Sequence, residues 1–574
     1  MKYHIQHFIG NRFEDSADGG VFAVLTPVTN EVIGQCASGQ RSDVDKAVAA
    51  ARSAFDNGSW SRMPVAERAN KVRRIGDLIL KHAAEIAELE IEDTGIPRRQ
   101  ITHGSIPRAA DNFYFFADQI LTFHGDAFPV DDHWINYTVH RPIGVAGLIT
   151  PWNTPFMLET WKVAPALASG NTVVLKPAEW SPLSANKLAE IILEADLPPG
   201  VFNLVHGFGE TAGAPLVAHP DVKLISFTGE TTTGQIIIKN GADSLKRFSM
   251  ELGGKSPNII FADADLDRAL DAALWQVYSL NGERCTAASR LLVEKSIHDE
   301  FVSRLAGRVK RIKVGDPGDE TTEIGPLIHP EHWNRVRGYM DVAREEGATI
   351  VFGGDRPSMA SPLSSFPAER GPRVGVFEAG REEGASKRGL AGGKNGQAVT
   401  ELPSIEREIR AAPESASSQG RDVLVQEERR VRMSAEESHS GSPFERGNWF
   451  APTLITGVRN DMRIAQEEIF GPVLVVLPFT DESEAIRLAN DVRYGLAGYI
   501  WTRDVSRAHR VAQSLECGMV WINSHNVRDL RTPFGGSKFS GIGREGGRWS
   551  FEEFYLDTRT IQVPLKDHPI PRIG

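Results

Sequence analysis

The sequence predicts an α/β fold in which parallel strands alternate with helices. Apolar, often β-branched runs typical of buried strands recur along the chain, and stretches with helical spacing of apolar residues lie between them. A second alternating segment begins near Ser256, which indicates two α/β domains in this chain of 574 residues. Such sheets are covered by helices on both faces and bind ligands at the carboxyl ends of their strands.

The first segment contains predicted helices at 42–56 and 65–93, where Ala and Leu recur at helical spacing. The stretch 181–200 begins with Ser, keeps a helical period and ends in Pro-Pro-Gly, which predicts another helix. Four apolar runs are predicted strands: 143–150, 171–177, 201–207 and 222–229.

The second segment repeats this pattern. Its helices are predicted at 265–279 and 482–492. Its strands are predicted in PNIIFAD, SRLLVEK, NWFAPTLITGV, GPVLVVLPF and GMVWINS.

Residues 356–446 do not fit this pattern. The stretch is rich in Ser, Gly, Glu, Arg and Pro and contains neither Trp nor Tyr. Too little apolar surface is available to offset the entropy of ordering, so we expect a mobile insertion. A small folded insert with a helix near 421–437 is the alternative.

Composition excludes several classes of protein. The formal net charge of −11 disfavours nucleic acid as a partner, because phosphate binding needs a basic surface. The three cysteines cannot make a disulfide framework, and their spacing matches no metal motif. The N-terminus lacks the apolar core of a signal peptide, and no apolar run is long enough to span a bilayer. We therefore expect a cytoplasmic protein without a metal or membrane partner.

Three short motifs carry candidate catalytic residues. Cys285 in NGERCTAASR is a potential nucleophile whose pKa a cation such as Arg284 would lower. Glu251 in MELGGKSP is a candidate general base, and Asn153 in TPWNTP is a candidate oxyanion donor. Taken singly, each has a commoner explanation: a buried small side chain, a solvated loop acid and a turn residue.

Two further features suit a nucleotide. Lys176 and Glu179 in VVLKPAEWSP follow a strand, where they can bind ribose hydroxyls, although a surface ion pair is the simpler interpretation. The glycines of GFGETAG and FTGETTTG allow close approach of a pyrophosphate, but neither stretch is a true G-x-G-x-x-G motif.

The order of the motifs is more specific than any one of them. TPWN, LKPAE, FTG-x-x-x-x-G, ELGGKSP, G-x-R-C, EEIFGPV and PFGG follow one another along the chain. This set resembles that of the aldehyde dehydrogenase superfamily, and the resemblance runs from FIGNRF near residue 8 to the C-terminus. Only the insertion is unmatched.

The resemblance implies an aldehyde-dehydrogenase-like fold: a Rossmann-type NAD-binding domain, an α/β catalytic domain and a small β-arm for assembly into a homodimer or homotetramer. The arm is expected to pair 134–141 with 557–565. The implied boundaries are 1–125 and 143–252 for the NAD-binding domain, 253–355 and 447–545 for the catalytic domain, and 126–142 and 546–574 for the arm and tail.

The resemblance also implies roles for residues. Cys285 would attack the aldehyde, Asn153 and the Cys285 N–H would hold the oxyanion, and Glu251 would activate the water that hydrolyses the thioester. Lys176 and Glu179 would hold the adenosine ribose of NAD, and Glu468 and Phe470 would hold and pack the nicotinamide riboside. Further residues would line the cofactor path: Thr150, Pro151, Trp152, Gly209, Gly213, Phe227, Gly229, Glu230, Thr233 and Leu252.

Two residues bear on how the cofactor would bind. Many family members have Ser after FTG, but here the position is Glu230, an acid near a dianion. Either this side chain points away or the phosphates shift. Glu179 favours NAD over NADP, because a carboxylate repels a 2′-phosphate.

Four segments resemble a branch of the family whose semialdehyde substrates carry carboxylates: IPRAADNFYFFA, MELGGKSPNIIFADADLDRALDAAL, NGERCTAASRLLV, and VRDLRTPFGG through DHPIPRIG. An acidic substrate needs cationic anchors. We expect Arg528 or Arg531 to bind a carboxylate, with Arg108, Arg284 and Phe534 as further candidates.

Other interpretations stay open at this point. The substrate is alternatively a different semialdehyde or a broad range of aldehydes. A coenzyme A-acylating enzyme or a thioesterase is less favoured, because Glu251 suits hydrolysis. A non-catalytic protein on this fold is the remaining alternative, although Cys285, Glu251 and Asn153 are all retained.

Overall fold

The computed structural model describes residues 1–358, 443–568 and 570–574. Most of the predicted insertion, with its alternative helix near 421–437, lies outside the described residues. The predicted alternation of strands and helices is confirmed on both sides of it.

Within the described ranges, eight strands form the first sheet, and its five central strands are parallel. From one edge to the other the strands are Gly541–Ile542, Arg247–Glu251, Val222–Thr228, Val145–Ile149, Thr172–Lys176, Phe202–Leu204, His7–Ile9 and Arg12–Glu14.

The central strands are mostly buried because helices cover both faces. In the strand Thr172–Lys176, Val173 and Leu175 join one hydrophobic cluster, while Val174 joins the cluster on the opposite face. The helices of this part of the chain are Arg41–Asp56, Val65–Lys81, Ala83–Thr94, Arg98–Gln100, Ile106–Thr122, Pro155–Ala168, Leu183–Glu194, Ala214–Ala218 and Thr231–Gly241.

The predicted helix 65–93 is two helices rather than one. The first ends where the His82 N–H donates to the Leu78 carbonyl at 2.9 Å. The second begins where the His82 carbonyl accepts from the Ile86 N–H at 3.0 Å. The apolar period runs through this junction, so periodicity alone did not reveal it.

The second sheet has seven strands in the part of the chain that the structure describes, and one edge strand is antiparallel. In order they are Thr349–Phe352, Thr453–Thr456, Val473–Phe479, Arg290–Glu294, Pro257–Ile260, Ala497–Trp501 and Met519–Ile522. The helices that follow the first segment are Leu266–Tyr278, His298–Val309, Pro330–Glu345, Arg463–Gln466, Glu482–Asn490, Val505–Ser514 and Gly547–Trp549.

Smaller sheets complete the described strands. The first joins Tyr3–Ile5, Val32–Ala37 and Val21–Leu25, and another joins Tyr494–Gly495 with Ser537–Lys538. Shorter helical turns are Trp60–Arg62, Ile101–Ser105, Gly209–Gly213, Ala242–Ser244, Ser279–Gly282, Pro443–Glu445 and Ser550–Tyr555.

The predicted arm pairing is confirmed, but the arm has more than two strands. Trp134–Pro142 runs antiparallel to Leu556–Pro564 along its whole length. A third strand, Ala127–Asp131, pairs with the other edge of Trp134–Pro142. This strand was not predicted, because its sequence AFPVD is short and contains Pro.

No helix among the described residues is both long enough and apolar enough to cross a bilayer.

Candidate active site

The carboxyl ends of neighbouring parallel strands meet at one edge of the first sheet. Predicted polar residues stand at or just beyond these ends: Thr150, Asn153, Lys176, Glu230 and Glu251. This is the position at which open α/β sheets bind ligands, as the sequence predicted.

A cavity of about 1630 Å³ opens along this edge and continues towards the second sheet. Predicted catalytic, cofactor and substrate residues line it: Arg108, Pro151, Trp152, Asn153, Gly229, Glu230, Glu251, Leu252, Arg284, Cys285, Glu468, Phe470, Arg528 and Phe534. The candidate nucleophile, base and oxyanion donor therefore open onto one space.

A strained turn brings Cys285 to the cavity. Leu280, Asn281 and Gly282 are consecutive residues with left-handed φ angles of 52°, 57° and 78°. A side chain at Gly282 would lie 2.2 Å from the Gly471 carbonyl carbon, so only glycine fits there. Asn281 fixes the turn, since its Nδ2 donates to the Pro326 carbonyl at 2.9 Å. The Asn-Gly pair of NGERC is thus needed for the backbone conformation that leads to the cysteine.

The cysteine thiol is not preionised. Burial raises the pKa of Cys285 to about 12, and the Glu251 and Glu468 carboxylates add to the rise. The Arg528 and Arg284 guanidiniums oppose it. The net shift is opposite to the lowering that we expected from Arg284, because the desolvation of the thiolate exceeds the effect of the nearby cations. Formation of the thiolate therefore needs a proton acceptor.

Glu251 is the candidate for this acceptor. It ends the strand Arg247–Glu251, is 4% exposed, and its Oε1 has no hydrogen-bond partner among the described residues. Burial raises its pKa to about 8, and the nearby Glu545 carboxylate adds to the rise. A carboxylate with such a pKa can take up a proton near neutral pH.

Asn153 is held by the segment that carries the cysteine. Its Nδ2 donates to the carbonyl oxygen of Glu283 at 2.8 Å, two residues before Cys285. An amide nitrogen has two N–H groups, so one remains for a ligand in the cavity.

The side chain of Glu283 anchors the same segment from behind. It is 1% exposed, and its Oε1 accepts from the Ile328 N–H at 3.0 Å. The same oxygen lies 3.6 Å from Nε2 of His332. Burial keeps His332 neutral by lowering its pKa to about 3. Its Nε2 therefore carries the proton that is donated to the Phe470 carbonyl at 2.7 Å.

An aromatic wall extends from these residues along the cavity. The Trp152 ring lies 4.9 Å from His332 and 5.2 Å from Phe470. Phe470 has a φ of 61°, which is rare for an aromatic residue, and the bond from His332 to its carbonyl holds it there. Trp180 continues the wall and stacks on His329 at 4.5 Å.

Glu468 is held against the Gly-Gly turn that follows Glu251. Its Oε1 accepts from the Gly254 N–H at 2.8 Å. A side chain at Gly253 would come within 2.1 Å of its Oε2, so the glycine is required for this approach. Burial raises the pKa of Glu468 to about 7.

Lys176 and Glu179 form a pair beside the cavity, with Nζ and Oε2 3.3 Å apart. Lys176 is buried, whereas the Glu179 side chain is 34% exposed. A Cβ on Gly213 would lie 3.9 Å from the Lys176 side chain, and one on Gly209 would meet open space.

Two further predicted cofactor residues occupy contrasting positions. Phe227 is buried, and a Cβ at Gly229 would lie 2.4 Å from its ring, so a side chain at that position would require the ring to move. Thr233 is exposed on the helix Thr231–Gly241.

The Glu230 carboxylate points towards an arginine. Its Oε1 lies 3.9 Å from Nη2 of Arg335, on the helix Pro330–Glu345. Arg335 also lines the cavity and donates to the Glu468 carbonyl at 3.3 Å. Arg335 was not singled out from the sequence, because nothing in RVRGYM distinguishes it from other surface arginines on a helix.

Two of the four candidate substrate arginines share one aromatic ring. Arg108 and Arg528 both lie over the Trp161 ring, with Cζ 5.4 Å and 5.7 Å from its centroid. Arg528 also stacks on Phe534 at 3.5 Å. Within the described ranges, no carboxylate forms an ion pair with either guanidinium within 4.0 Å.

Arg284 also lines the cavity, but Arg531 does not. The Arg531 side chain is 78% exposed and pairs with Asp529 at 2.6 Å. Arg528, rather than Arg531, is thus the loop arginine that opens onto the cavity.

Glu545 was also missed from the sequence. It lies behind Glu251, where its Oε1 accepts from Lys162 Nζ at 2.9 Å and Ser249 Oγ at 2.6 Å. Its Oε2 accepts from the Trp161 indole N–H. These partners are distant in sequence, so only the fold reveals the cluster.

Comparisons with known proteins agree with this site. The model of the aldehyde dehydrogenase family matches residues 13–364 and 403–561, and residues 365–402, between the two matches, lie within the predicted insertion. The 5-carboxymethyl-2-hydroxymuconate semialdehyde dehydrogenase of Escherichia coli is 44% identical, over 95% of this chain and 98% of the relative. The 2-hydroxymuconic semialdehyde dehydrogenase of Pseudomonas sp. (strain CF600) is 41% identical, over 98% of this chain and 99% of the relative.

Solved structures show the same likeness. HpcC from Thermus thermophilus is 48% identical with a TM-score of 0.83, covering 99% of this chain and 95% of that chain. Betaine aldehyde dehydrogenase from Staphylococcus aureus in complex with NAD+ is 35% identical with a TM-score of 0.82, and the match covers 98% of this chain and 95% of that chain. The resemblance drawn from the ordered motifs is confirmed, and this chain belongs to the aldehyde dehydrogenase family.

Proposed function

We propose that this enzyme oxidises an aldehyde to its carboxylic acid with NAD, through a thioester on Cys285. The observation that carries the proposal is the opening of Cys285, Glu251 and Asn153 onto one cavity. A nucleophile, a base and an oxyanion donor are the groups that this two-stage chemistry requires.

In the first stage, Glu251 takes the proton of the Cys285 thiol as Sγ forms a bond to the aldehyde carbon. The carbonyl π electrons move onto oxygen. The free N–H of Asn153 Nδ2 and the Cys285 backbone N–H donate to that oxyanion, which lowers the barrier to attack. NAD, when bound, supplies a two-electron acceptor for the hydride that leaves this carbon. The carbon then becomes that of a thioester.

In the second stage, Glu251 first releases the thiol's proton to solvent and then takes a proton from water, and the hydroxyl adds to the thioester carbon. The C–S bond breaks, the Cys285 sulfur takes the proton back from Glu251, and the acid departs. The cavity of about 1630 Å³ leaves room for water, and Glu251 is the group that accepts its proton. The same donors stabilise the second oxyanion.

The residues beside the cavity fit NAD. The hydroxyl of Thr150 is buried without a partner among the described residues, as is that of Thr211 in the turn Gly209–Gly213. Such orphaned donors suit a polar ligand. Lys176 and Glu179 would hold the adenosine ribose, and the Glu179 carboxylate favours NAD over NADP. The relatives bound to NAD+ support this choice.

Several predicted residues would shape the rest of the cofactor path. Glu468 would hold the nicotinamide ribose and Phe470 would pack beside the nicotinamide. The glycines at 209, 213 and 229 would allow the backbone to approach the phosphates, with Pro151, Trp152, Phe227, Thr233 and Leu252 completing the path.

The proposed substrate is 5-carboxymethyl-2-hydroxymuconate semialdehyde, which places the enzyme in aromatic catabolism by the homoprotocatechuate route. Two guanidiniums, Arg108 and Arg528, share the Trp161 ring without a protein counter-ion within the described ranges. Like charges in such proximity favour an anionic ligand. The names of the similar relatives support an acidic semialdehyde.

We also propose that the arm mediates assembly into a homodimer or homotetramer. Its outer strand Ala127–Asp131 exposes every residue, including Phe128 at 51% and Val130 at 61%. An apolar edge strand is a common pairing surface. The NAD-binding and catalytic domains keep the boundaries predicted from the sequence as part of this proposal.

The test is NADH formation by the purified protein with the semialdehyde, beside a Cys285→Ala variant. We expect turnover by the wild type and none by the variant. Turnover of neutral aldehydes alone would keep the dehydrogenase and reject the acidic substrate. Absence of turnover with every aldehyde and with both NAD and NADP would reject the catalytic proposal in favour of a non-catalytic role.

A further inference from the structure

Glu230 and Arg335 face each other across the cofactor side of the cavity. Glu230 precedes the helix Thr231–Gly241, which begins at the carboxyl end of a first-sheet strand. Arg335 lies on the helix Pro330–Glu345, which packs against the second sheet. Their charged atoms, Oε1 and Nη2, are 3.9 Å apart. An acidic and a basic side chain thus meet where two segments distant in sequence approach each other.

This pair is loose enough to exchange partners. The Glu230 and Arg335 side chains are 55% and 42% exposed. Water screens such a pair, so it contributes little to stability. The Arg335 guanidinium has a second contact, to the Glu468 carbonyl at 3.3 Å, which keeps it at the cavity wall when it leaves Glu230.

The step that follows depends on the proposed function. The pyrophosphate of NAD is an anion that a guanidinium can bind with two parallel hydrogen bonds. It would also be favoured at the positive end of the helix Thr231–Gly241. Glu230 stands at the N-terminal flank of that helix and pairs with that guanidinium. The carboxylate therefore competes with a pyrophosphate for both sources of positive charge.

We infer that Glu230 is a built-in competitor for the cofactor: Arg335 pairs with Glu230 in the free enzyme and with the pyrophosphate in the bound one. The exchange weakens NADH binding and speeds its release. Release of product limits the turnover of many enzymes, so a side chain that loosens it raises the steady-state rate. Glu230 acts on the cofactor through Arg335 and is not itself a catalytic residue.

A simpler account is repulsion between Glu230 and the phosphates without any role for Arg335. Both accounts predict tighter binding when the carboxylate is removed. They differ in whether that gain depends on Arg335, which a double-mutant cycle measures.

The experiment compares the wild type with Glu230→Gln, Arg335→Gln and the double variant. The dissociation constant for NADH is measured by fluorescence, and its release rate by stopped-flow displacement. We expect Glu230→Gln to tighten NADH binding about twofold to fivefold and to slow release by a similar factor. Arg335→Gln should weaken NADH binding. In the Arg335→Gln background, the further change Glu230→Gln should alter NADH affinity little.

Asp341→Asn is the matched control. This carboxylate is on the same helix and pairs with Arg337 at 3.0 Å and Arg344 at 2.7 Å, but it does not line the cavity. Its removal should leave NADH binding unchanged. An equal change in Asp341→Asn would mean that any lost charge acts at a distance and would overturn the inference.

The remaining outcomes are separable. The partner exchange would be overturned if the wild type binds NADH and Glu230→Gln binds it no more tightly. It would also be overturned if Glu230→Gln raises NADH affinity equally in the presence and absence of Arg335. Either result would leave the proposed function intact. Absence of NADH binding by a folded wild type would overturn the proposed function, and the inference with it.

Discussion

The Asn153 side chain and the Glu283 carbonyl oxygen are joined by a hydrogen bond of 2.8 Å. Asn153 follows a strand of the first sheet, and Glu283 lies two residues before the proposed nucleophile. This bond fixes the proposed oxyanion donor relative to Cys285. The side chain of Glu283 in turn fixes that carbonyl through the Ile328 N–H.

Glu283→Ala should therefore reduce kcat without a matching change in KM. Loss of a whole oxyanion donor, as in Asn153→Ala, costs about 100-fold to 1000-fold in kcat. We expect a smaller loss, of about tenfold, because Asn153 itself remains. Steady-state kinetics of both variants measure the difference.

Glu283→Gln is the control for this prediction. Burial raises the pKa of Glu283 well above its usual range, so the neutral acid and the amide present similar groups to Ile328. The glutamine variant should keep most of the activity. Equal losses in the Ala and Gln variants would contradict the positioning role.

The pH dependence should follow Glu251. Its pKa of about 8 means that the basic form becomes more abundant as pH rises from 6 to 9. Hydrolysis of the thioester should therefore accelerate over this range, with a midpoint near pH 8. Rapid-mixing measurements of acyl-enzyme decay report this step directly.

Glu251→Gln should abolish that pH-dependent rise and slow hydrolysis of the acyl-enzyme. The same rise in the glutamine variant would assign the titration to another group.

Arg528 and Arg531 provide a matched pair for substrate recognition. Arg528→Met should raise KM for a carboxylated semialdehyde about tenfold or more, because a charge-assisted hydrogen bond contributes about 1.5–3 kcal/mol. KM for a neutral aldehyde should change little. Arg531→Met should alter neither value, since Arg531 pairs with Asp529 outside the cavity. A larger effect at Arg531 would contradict the assignment.

A buried group of acids should make stability depend on pH. Glu90, Asp93 and Glu159 have no exposed surface. Burial raises the pKa of Glu90 to about 7 and the pKa values of the other two well above their usual range. The folded protein therefore holds protons that the unfolded chain releases above about pH 4–5. Stability is fully present below that pH and falls as pH rises through the raised pKa values.

Glu159→Gln should flatten this fall, since both oxygens of Glu159 lack a partner among the described residues. We expect the gain to be about 1–3 kcal/mol at alkaline pH, measured from thermal or urea unfolding between pH 5 and 9. Glu190→Gln, at a side chain that is 53% exposed and paired with Lys187, is the control. Identical pH profiles for the wild type and Glu159→Gln would contradict the prediction.

Local patterns in the sequence were enough to locate the strand ends that carry Asn153, Lys176 and Glu251. Parallel strands have a strong apolar signature, and chemistry gathers where they end. The order of the motifs then linked these residues to Cys285. These parts of the site depend on short segments whose residues are neighbours in sequence.

The remaining features arise from contacts between distant segments. His332 and Phe470 are 138 residues apart, yet one hydrogen bond joins them. Arg528 and Arg531 lie three residues apart in a loop. A loop has no helical or strand periodicity that would indicate which of the two faces inward. The upward pKa shift of Cys285 also follows from burial, which the motif NGERC does not encode. Tertiary packing decides all three.

The edge of the first sheet has a consequence for biosynthesis. The strand that ends in Glu251 is bordered by Gly541–Ile542, nearly 300 residues later, with Gly541 opposite Glu251. Contacts between such distant segments form late, because a long stretch of chain must first be ordered. A ribosome-bound chain that has not yet reached residue 541 lacks this border, however complete its nucleotide-binding strands are. We therefore expect aldehyde oxidation to appear only once the chain extends past residue 542, so that shorter polypeptides do not form the proposed thioester during translation.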